Sequence, residues 1–375
     1  MPIQNYFILY KNIFLCIYIY IYLLIEGVLA SLLCQDGKFR KLGEYLLFCF
    51  LLFLTILVVF RDGIGADYFT YVMHFQNTSD ITELTTSDFL LLEPGYVILS
   101  AILRYLHAPF EILSFLLLII IILNFKKVFP YFSSNLSLSF FLYVALFFLS
   151  FNFNVIRHGV MAAFVWNACH YWLESKKVSA IFLLVLGALF HILSLTFLLI
   201  IPICCSSKRY PIYIYILVLI FSFFIAKYPD VILQIFDRLL IPLVGTDNRL
   251  AFYLSGGHEG ELNEVTFSIG LFFNIFICFI SLFSFTDRKR FFLSNMLFVG
   301  IVSFLVFNSF GALSQRLASV CYISNIFLVP ALMSKARISK WRFCFFLFAV
   351  LYGILMFWRE LTKETGYYIP YQFIF

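Results

Sequence analysis

The stretch FEILSFLLLIIIILNF, residues 110–125, carries one charged side chain, Glu111, and is followed at once by Lys126 and Lys127. It contains neither glycine nor proline. An apolar run of this kind, closed by cations, reads as a transmembrane helix, because a helix of about 20 apolar residues crosses roughly 30 Å of hydrocarbon. Tyr45–Phe60 and Phe291–Phe307 have the same character. Working outward from these runs, charges and turn residues bound spans at 12–33, 44–60, 110–125, 137–153, 156–173, 211–226, 266–285, 291–309, 315–333 and 343–359. The fold expected is all-α, a polytopic transmembrane bundle of about ten to twelve spans. Residues 1–375 form a single integral membrane domain in this reading. Val28-Leu29-Ala30 resembles a signal cleavage site, but the apolar run from Asn12 is too long for a signal core and only Lys11 precedes it. The first helix is therefore expected to stay uncleaved.

Composition agrees: 63% of the chain is hydrophobic, only 12% is charged, and mean hydropathy is +0.98. Soluble domains carry about twice that share of charge. The net charge of +6 does not mark a nucleic-acid binder, since Lys and Arg fall largely in short clusters between spans. The nine cysteines include no CxxC and no Cys/His group at metal spacing, so they read as small buried hydrophobes. No metal site and no cofactor is expected.

Two segments fit poorly as spans. Residues 95–107 are short and carry Arg104, and residues 178–201 are interrupted by Gly187, His191 and Ser194. If both enter the membrane and return, all six basic clusters lie on the cytoplasmic side, as the positive-inside rule favours. Those clusters are Lys38/Arg40/Lys41, Lys126/Lys127, Lys176/Lys177, Lys208/Arg209, Arg288/Lys289/Arg290 and Lys335/Arg337/Lys340/Arg342. The segments are therefore expected to be re-entrant or broken, a form that needs a protein-lined cavity around it. The acidic loops at about 61–94 and 227–265 then face outward. Sixteen of the 26 basic residues sit in the clusters; of the other ten, seven are arginine and none is placed by topology. Arginine presents a planar fork of donors suited to phosphate oxygens.

Four constellations stand out. Arg61-Asp62-Gly63-Ile64-Gly65-Ala66-Asp67, followed by Tyr68 and Tyr71, follows a span, and its glycines permit a turn that gathers Arg61, Asp67 and Tyr71. The bland alternative is a charged interfacial turn with an aromatic belt. Asn152-Phe153-Asn154-Val155-Ile156-Arg157-His158 opens another span, and Asn154, Arg157 and Met161 share a face at i, i+3 and i+7. Arg157 there adds to the positive end of the helix dipole, a poor placement unless an anion is near or the side chain snorkels. Asn167, His170 and Glu174 extend the stripe. His191 and Ser194 lie at the expected tip of the second awkward segment, where His191 is either a proton-transfer group or a satisfied core histidine. Arg249 with Tyr253, and Gln315-Arg316 at the start of a span, complete the set.

The order FRxxxGxDxxxY, Glu93-Pro94-Gly95-Tyr96, NxxRH before a span, FHxxS, and Arg-Leu near Tyr resembles the EpsG/Wzy family of polysaccharide polymerases. The ending Tyr368-Ile369-Pro370-Tyr371-Gln372-Phe373 is similar to the tail of that family, and the likeness runs from about residue 44 to 375. His158 departs from the family, which usually has glutamine there. The resemblance implies a membrane-embedded glycosyltransferase acting on an oligosaccharide linked through diphosphate to a polyprenol, outside the bacterial inner membrane. It implies inversion by direct displacement in O-antigen or related polysaccharide synthesis. Its partners would be that lipid-linked sugar, the bilayer and a chain-length regulator protein, with no nucleic acid. Arg61, Tyr71, Asn154, Arg157, His158, Arg249 and Arg316 would bind diphosphate and sugar, and His191, Asp67 or Glu93 would be the base. The alternatives are an O-antigen ligase, which would show one much larger outer loop, and a flippase, which would show internal repeats.

Overall fold

The computed structural model describes residues 40–89, 92–205, 210–228, 268–336, 338–362, 368 and 371–374, with scattered positions between 21 and 29. Most of the expected first span and nearly all of the loop 227–265, Arg249 included, lie outside the described residues. Among the described residues every regular element is helical, apart from an isolated antiparallel bridge between Arg61 and Phe373. The helices are α1 (Arg40–Val59), α2 (Tyr68–Asn77), α3 (Pro94–Tyr105), α4 (Phe110–Phe132), α5 (Leu136–Tyr143), α6 (Ile156–Leu173) and α7 (Lys177–Ala188). They continue with α8 (Phe197–Cys204), α9 (Ile212–Lys227), α10 (Ile269–Ser284), α11 (Arg288–Val306), α12 (Ala312–Tyr322), α13 (Ser324–Lys335) and α14 (Ser339–Thr362).

The all-helical architecture is the one hydropathy demands, since a chain in hydrocarbon must satisfy its backbone internally. Four helices among the described residues are long and apolar enough to cross a bilayer: Phe110–Phe132, Arg288–Val306, Leu313–Lys335 and Lys340–Thr362. Shorter apolar helices, including Ile212–Lys227 and Ile269–Ser284, accompany them. The chain is a multi-pass membrane protein.

Neither awkward segment is a single full-length helix. The first is the 12-residue α3, which ends in a tight reversal at residues 106–108 before α4 begins. His107 takes a left-handed conformation there, and Ala108 N donates to Leu103 O at 2.9 Å. The second is α7, also 12 residues, then a short 3-10 turn (Ile192–Thr196) and α8. The chain doubles back at this turn: Ser194 Oγ donates to Leu184 O, ten residues earlier, at 2.7 Å. At about 1.5 Å per residue neither 12-residue helix spans the hydrocarbon alone.

The helix beginning at α5 widens after Tyr143 into two π-helical stretches, Val144–Phe148 and Ser150–Asn154. Val155 N donates to Ser150 O, five residues back, at 2.9 Å. Val155 itself leaves helical geometry (φ −93°, ψ 60°), and α6 starts afresh at Ile156. Asn154 is therefore not on the same helical face as Arg157 and Met161. The shared face read from spacing is lost, because Asn154 lies before the break that separates the expected spans 137–153 and 156–173.

The chain packs as two compact units, Met1–Leu198 with Val329–Phe375, and Leu199–Leu328. In the first, α6 is the central helix, packed on α4 and α7, and its Trp166 is fully buried. In the second, α11 packs against α9, α10 and α12. Each unit has one buried amide pair between helices. Asn167 Nδ2 donates to Asn124 Oδ1 at 2.8 Å, and Asn325 Nδ2 to Asn274 Oδ1 at 2.6 Å. Such bonds hold apolar helices in register where hydrophobicity alone gives no preference.

The basic clusters at the ends of α4 and α6 meet. Lys127 Nζ donates to the Tyr171 hydroxyl at 2.8 Å, and Lys176 Nζ lies 5.8 Å from the centre of that ring. The positive-inside rule predicts that this end faces the cytoplasm. A cysteine at Ser175, in the exposed turn between α6 and α7, introduced in a cysteine-free background, is expected to resist a membrane-impermeant thiol reagent added outside. It should react after permeabilisation. Labelling from outside would reverse the orientation.

Candidate functional site

Arg61 follows the end of α1 and is only 2% exposed, an unusual position for a permanent cation. The π-helical stretch ending at Asn154 supplies its acceptor, because carbonyls in a last helical turn have no partner within the helix. Arg61 Nη1 donates to Asn152 O at 2.6 Å and to Val58 O at 3.3 Å. The guanidinium lies 5.0 Å from the centre of the Phe153 ring and 5.6 Å from that of Tyr68. Its Nε and Nη2 find no hydrogen-bond partner among the described residues. Burial lowers its pKa to about 10, so it stays charged at neutral pH.

The turn after Arg61 docks on the same helix end. Gly65 has φ +109°, and a Cβ there would stand 2.4 Å from Phe153 O, so only glycine fits. Ala66 N donates to Asn154 Oδ1 at 2.7 Å. The C-terminal segment covers the other side: Asp62 N donates to Gln372 O at 2.9 Å, and Ile374 N to Phe60 O at 3.1 Å. The Tyr371 hydroxyl donates to Leu57 O, and Asn154 Nδ2 donates to the Tyr368 hydroxyl oxygen.

Arg157 is the second residue of α6, at the positive end of its dipole, and pairs through Nη1 with Glu93 Oε2. Their side chains are 19% and 15% exposed. The carboxylate offsets both the guanidinium and the helix end, which resolves the poor placement seen in the sequence. Arg157 also lies 5.7 Å from the centre of the Tyr71 ring. Tyr96 donates to Tyr71 O at 3.1 Å, which ties α3 to α2. The start of α3 is fixed by the end of α7: Gly95 N donates to Leu189 O at 2.7 Å, and a Cβ on Gly95 would meet that oxygen. The two broken segments thus meet end to end beside Glu93.

His158 and His191 are buried edge to face, with ring centres 5.4 Å apart. His191 Nδ1 accepts from Leu193 N at 3.3 Å. Neutral His191 therefore carries its proton on Nε2. Asp67 is half-buried at the N-cap position of α2, and its carboxylate makes no capping bond. Arg316 is half-buried on α12, in the other compact unit. Among the described residues no group of three His, Cys, Asp or Glu side chains is placed to hold a metal.

Arg61, Asp67, Tyr71, Glu93, Asn154, Arg157, His158 and His191 thus lie in one compact unit, within which Arg157 meets Glu93 and Tyr71, His158 meets His191, and the Arg61–Asp67 turn docks on the helix end that carries Asn154. The chain matches the EpsG family over residues 44–373. It belongs to that family. Neither the curated proteins nor the solved structures include a match. Membership links this membrane protein to polysaccharide biosynthesis.

In this EpsG-family protein the residues missed from sequence act through the backbone or through long-range pairing. The Asn152 carbonyl carries no signal in its side chain. The tail tyrosines were visible as a motif without a partner. Glu360, 3.5 Å from the Tyr368 hydroxyl, gave no signal at all.

Two outcomes follow. Gly65→Ala should dislodge the turn and abolish function, with loss of purified monodisperse protein or of its thermal stability. Glu93→Ala strands Arg157 and should cost on the order of 3 kcal/mol, as for other partly buried pairs broken from one side. The double variant Glu93→Ala/Arg157→Ala should recover part of that loss. A double-mutant cycle of unfolding midpoints in detergent would measure the coupling, and strict additivity would deny it.

Proposed function

We propose that this protein is an inverting glycosyl polymerase that joins polyprenyl-diphosphate-linked oligosaccharide units into O-antigen or related surface polysaccharide, on the outer face of the bacterial inner membrane. The observation that carries this reading is Arg157. It stands at the positive end of α6, is held by Glu93 through one nitrogen only, and has an Nε with no partner among the described residues. The guanidinium fork is thus only partly satisfied by the described residues and stands beside a helix N-terminus, an arrangement suited to a diphosphate.

In the step proposed, an acceptor sugar hydroxyl attacks the anomeric carbon of the donor as its bond to the diphosphate oxygen breaks. The electron pair of that bond leaves with the diphosphate. Arg157 meets the developing charge, and stabilisation of this kind in a low-dielectric site is a large catalytic term. The hydroxyl proton passes to Asp67. Glu93 is committed to Arg157, and Nδ1 of His191 is engaged by the Leu193 amide. Arg61 fixes the turn bearing Asp67 and adds cationic field from behind. Arg249 and Arg316 are proposed as diphosphate-binding residues on residue type alone, and no part of this step is assigned to them.

A deletion strain is expected to carry single repeat units on its lipid core; a strain lacking them altogether would point to a ligase or flippase. Arg157→Lys should be nearly as damaging as Arg157→Ala, because lysine keeps the charge and loses the fork. Normal polymer length with lysine would remove the bidentate role. With purified protein, Asp67→Asn should lower chain extension by about 10²–10⁴-fold, as for a lost base. His191→Gln, which keeps a donor, should lose far less. The reverse order would return the base to His191.

A further inference from the structure

Tyr368 sits between two groups far from it in sequence. Asn154 Nδ2 donates to its hydroxyl oxygen, and Glu360 Oε1 lies 3.5 Å from the same oxygen. Since the oxygen already accepts from Asn154, the hydroxyl proton is free to point to the Glu360 carboxylate, the acceptor on its other side. Tyr368 is buried, and its ring packs edge to face with Phe153, centres 6.4 Å apart. An amide is symmetric in outline, so packing alone does not choose which end of Asn154 faces the Gly65–Asp67 turn. The tyrosine oxygen chooses: by taking the Nδ2 hydrogen it leaves Oδ1 for Ala66 N, 2.7 Å away.

We propose that Tyr368, backed by Glu360, is a positioning residue that sets the Asn154 amide and, through Ala66, the turn that carries Asp67. The C-terminal segment is on this account a working part of the site. It acts twice on one turn, since residues 372 and 374 also bond the backbone at Asp62 and Phe60. The link to catalysis rests on the reading of Asp67 as the base; the link to the turn does not.

The test uses full-length protein with Tyr368→Phe, Glu360→Leu, Glu360→Gln and the double variant Tyr368→Phe/Glu360→Leu. Phenylalanine keeps the ring against Phe153 and removes only the hydroxyl. Tyr368→Phe should lower kcat of chain extension about tenfold with KM for the lipid-linked donor unchanged, the size expected for one lost hydrogen bond to a charged relay. Glu360→Leu should match it, the double variant should lose no more than either single one, and Glu360→Gln, whose amide oxygen accepts the same bond, should recover most of the rate. Multiplying losses, or a Tyr368→Phe rate equal to wild type, would overturn the relay. Hydrogen exchange of the 62–67 backbone gives a readout independent of activity. Ala66 should lose protection in Tyr368→Phe and Glu360→Leu and keep it in Glu360→Gln. That pattern in a wild-type protein that extends no chains would sink the polymerase reading and leave the relay standing; unchanged protection would sink the relay.

Discussion

A charged guanidinium with almost no solvent contact must be compensated locally or the fold does not form. At Arg61 the compensation among the described residues comes from backbone carbonyls of Asn152 and Val58 and from the faces of Phe153 and Tyr68. The requirement accounts for much of the surrounding irregularity. A regular α-helix through residues 144–160 would spend the Asn152 carbonyl on its own ladder. The π-helical turns and the break at Val155 leave that carbonyl outward, toward Arg61. Such bulges cost helix stability and persist where they place a functional group.

The second pole, Arg157 with Glu93, follows from the same geometry. Restarting the helix at Ile156 puts Arg157 in its first turn, where a cation is disfavoured and a carboxylate welcome. Glu93 is delivered there by α3, itself anchored on the last turn of α7. Two helices too short to cross the membrane thus do together what neither does alone: their ends meet and bring polar groups into an apolar protein. The Gly95 amide satisfies the Leu189 carbonyl across that junction, as backbone away from water requires.

The histidines show how tertiary detail redirects a chemical assignment. Residue type suggested His191 as a proton acceptor, but the Leu193 amide occupies Nδ1 and leaves a donor at Nε2. That backbone bond is the reason the proposed base is a carboxylate rather than the imidazole.

By itself the sequence determined the helical class, most helix limits and the two broken segments, because hydropathy and charge report directly on where a backbone can stay dry. The expected span 156–173 coincides with Ile156–Leu173 for that reason. It also marked Arg61, Glu93, Arg157 and His191 as misfits, since a charged or polar side chain in an apolar run is costly wherever it lands. It did not say which misfits compensate one another. Glu93 and Arg157 are 64 residues apart, and Asn154 and Tyr368 are 214 apart. The π-helical turns before Val155 have no glycine or proline to announce them, and the acceptor for Arg61 is a main-chain oxygen that every residue has. Pairing, backbone acceptors and histidine tautomers depend on which surfaces meet, and only the tertiary structure decided that.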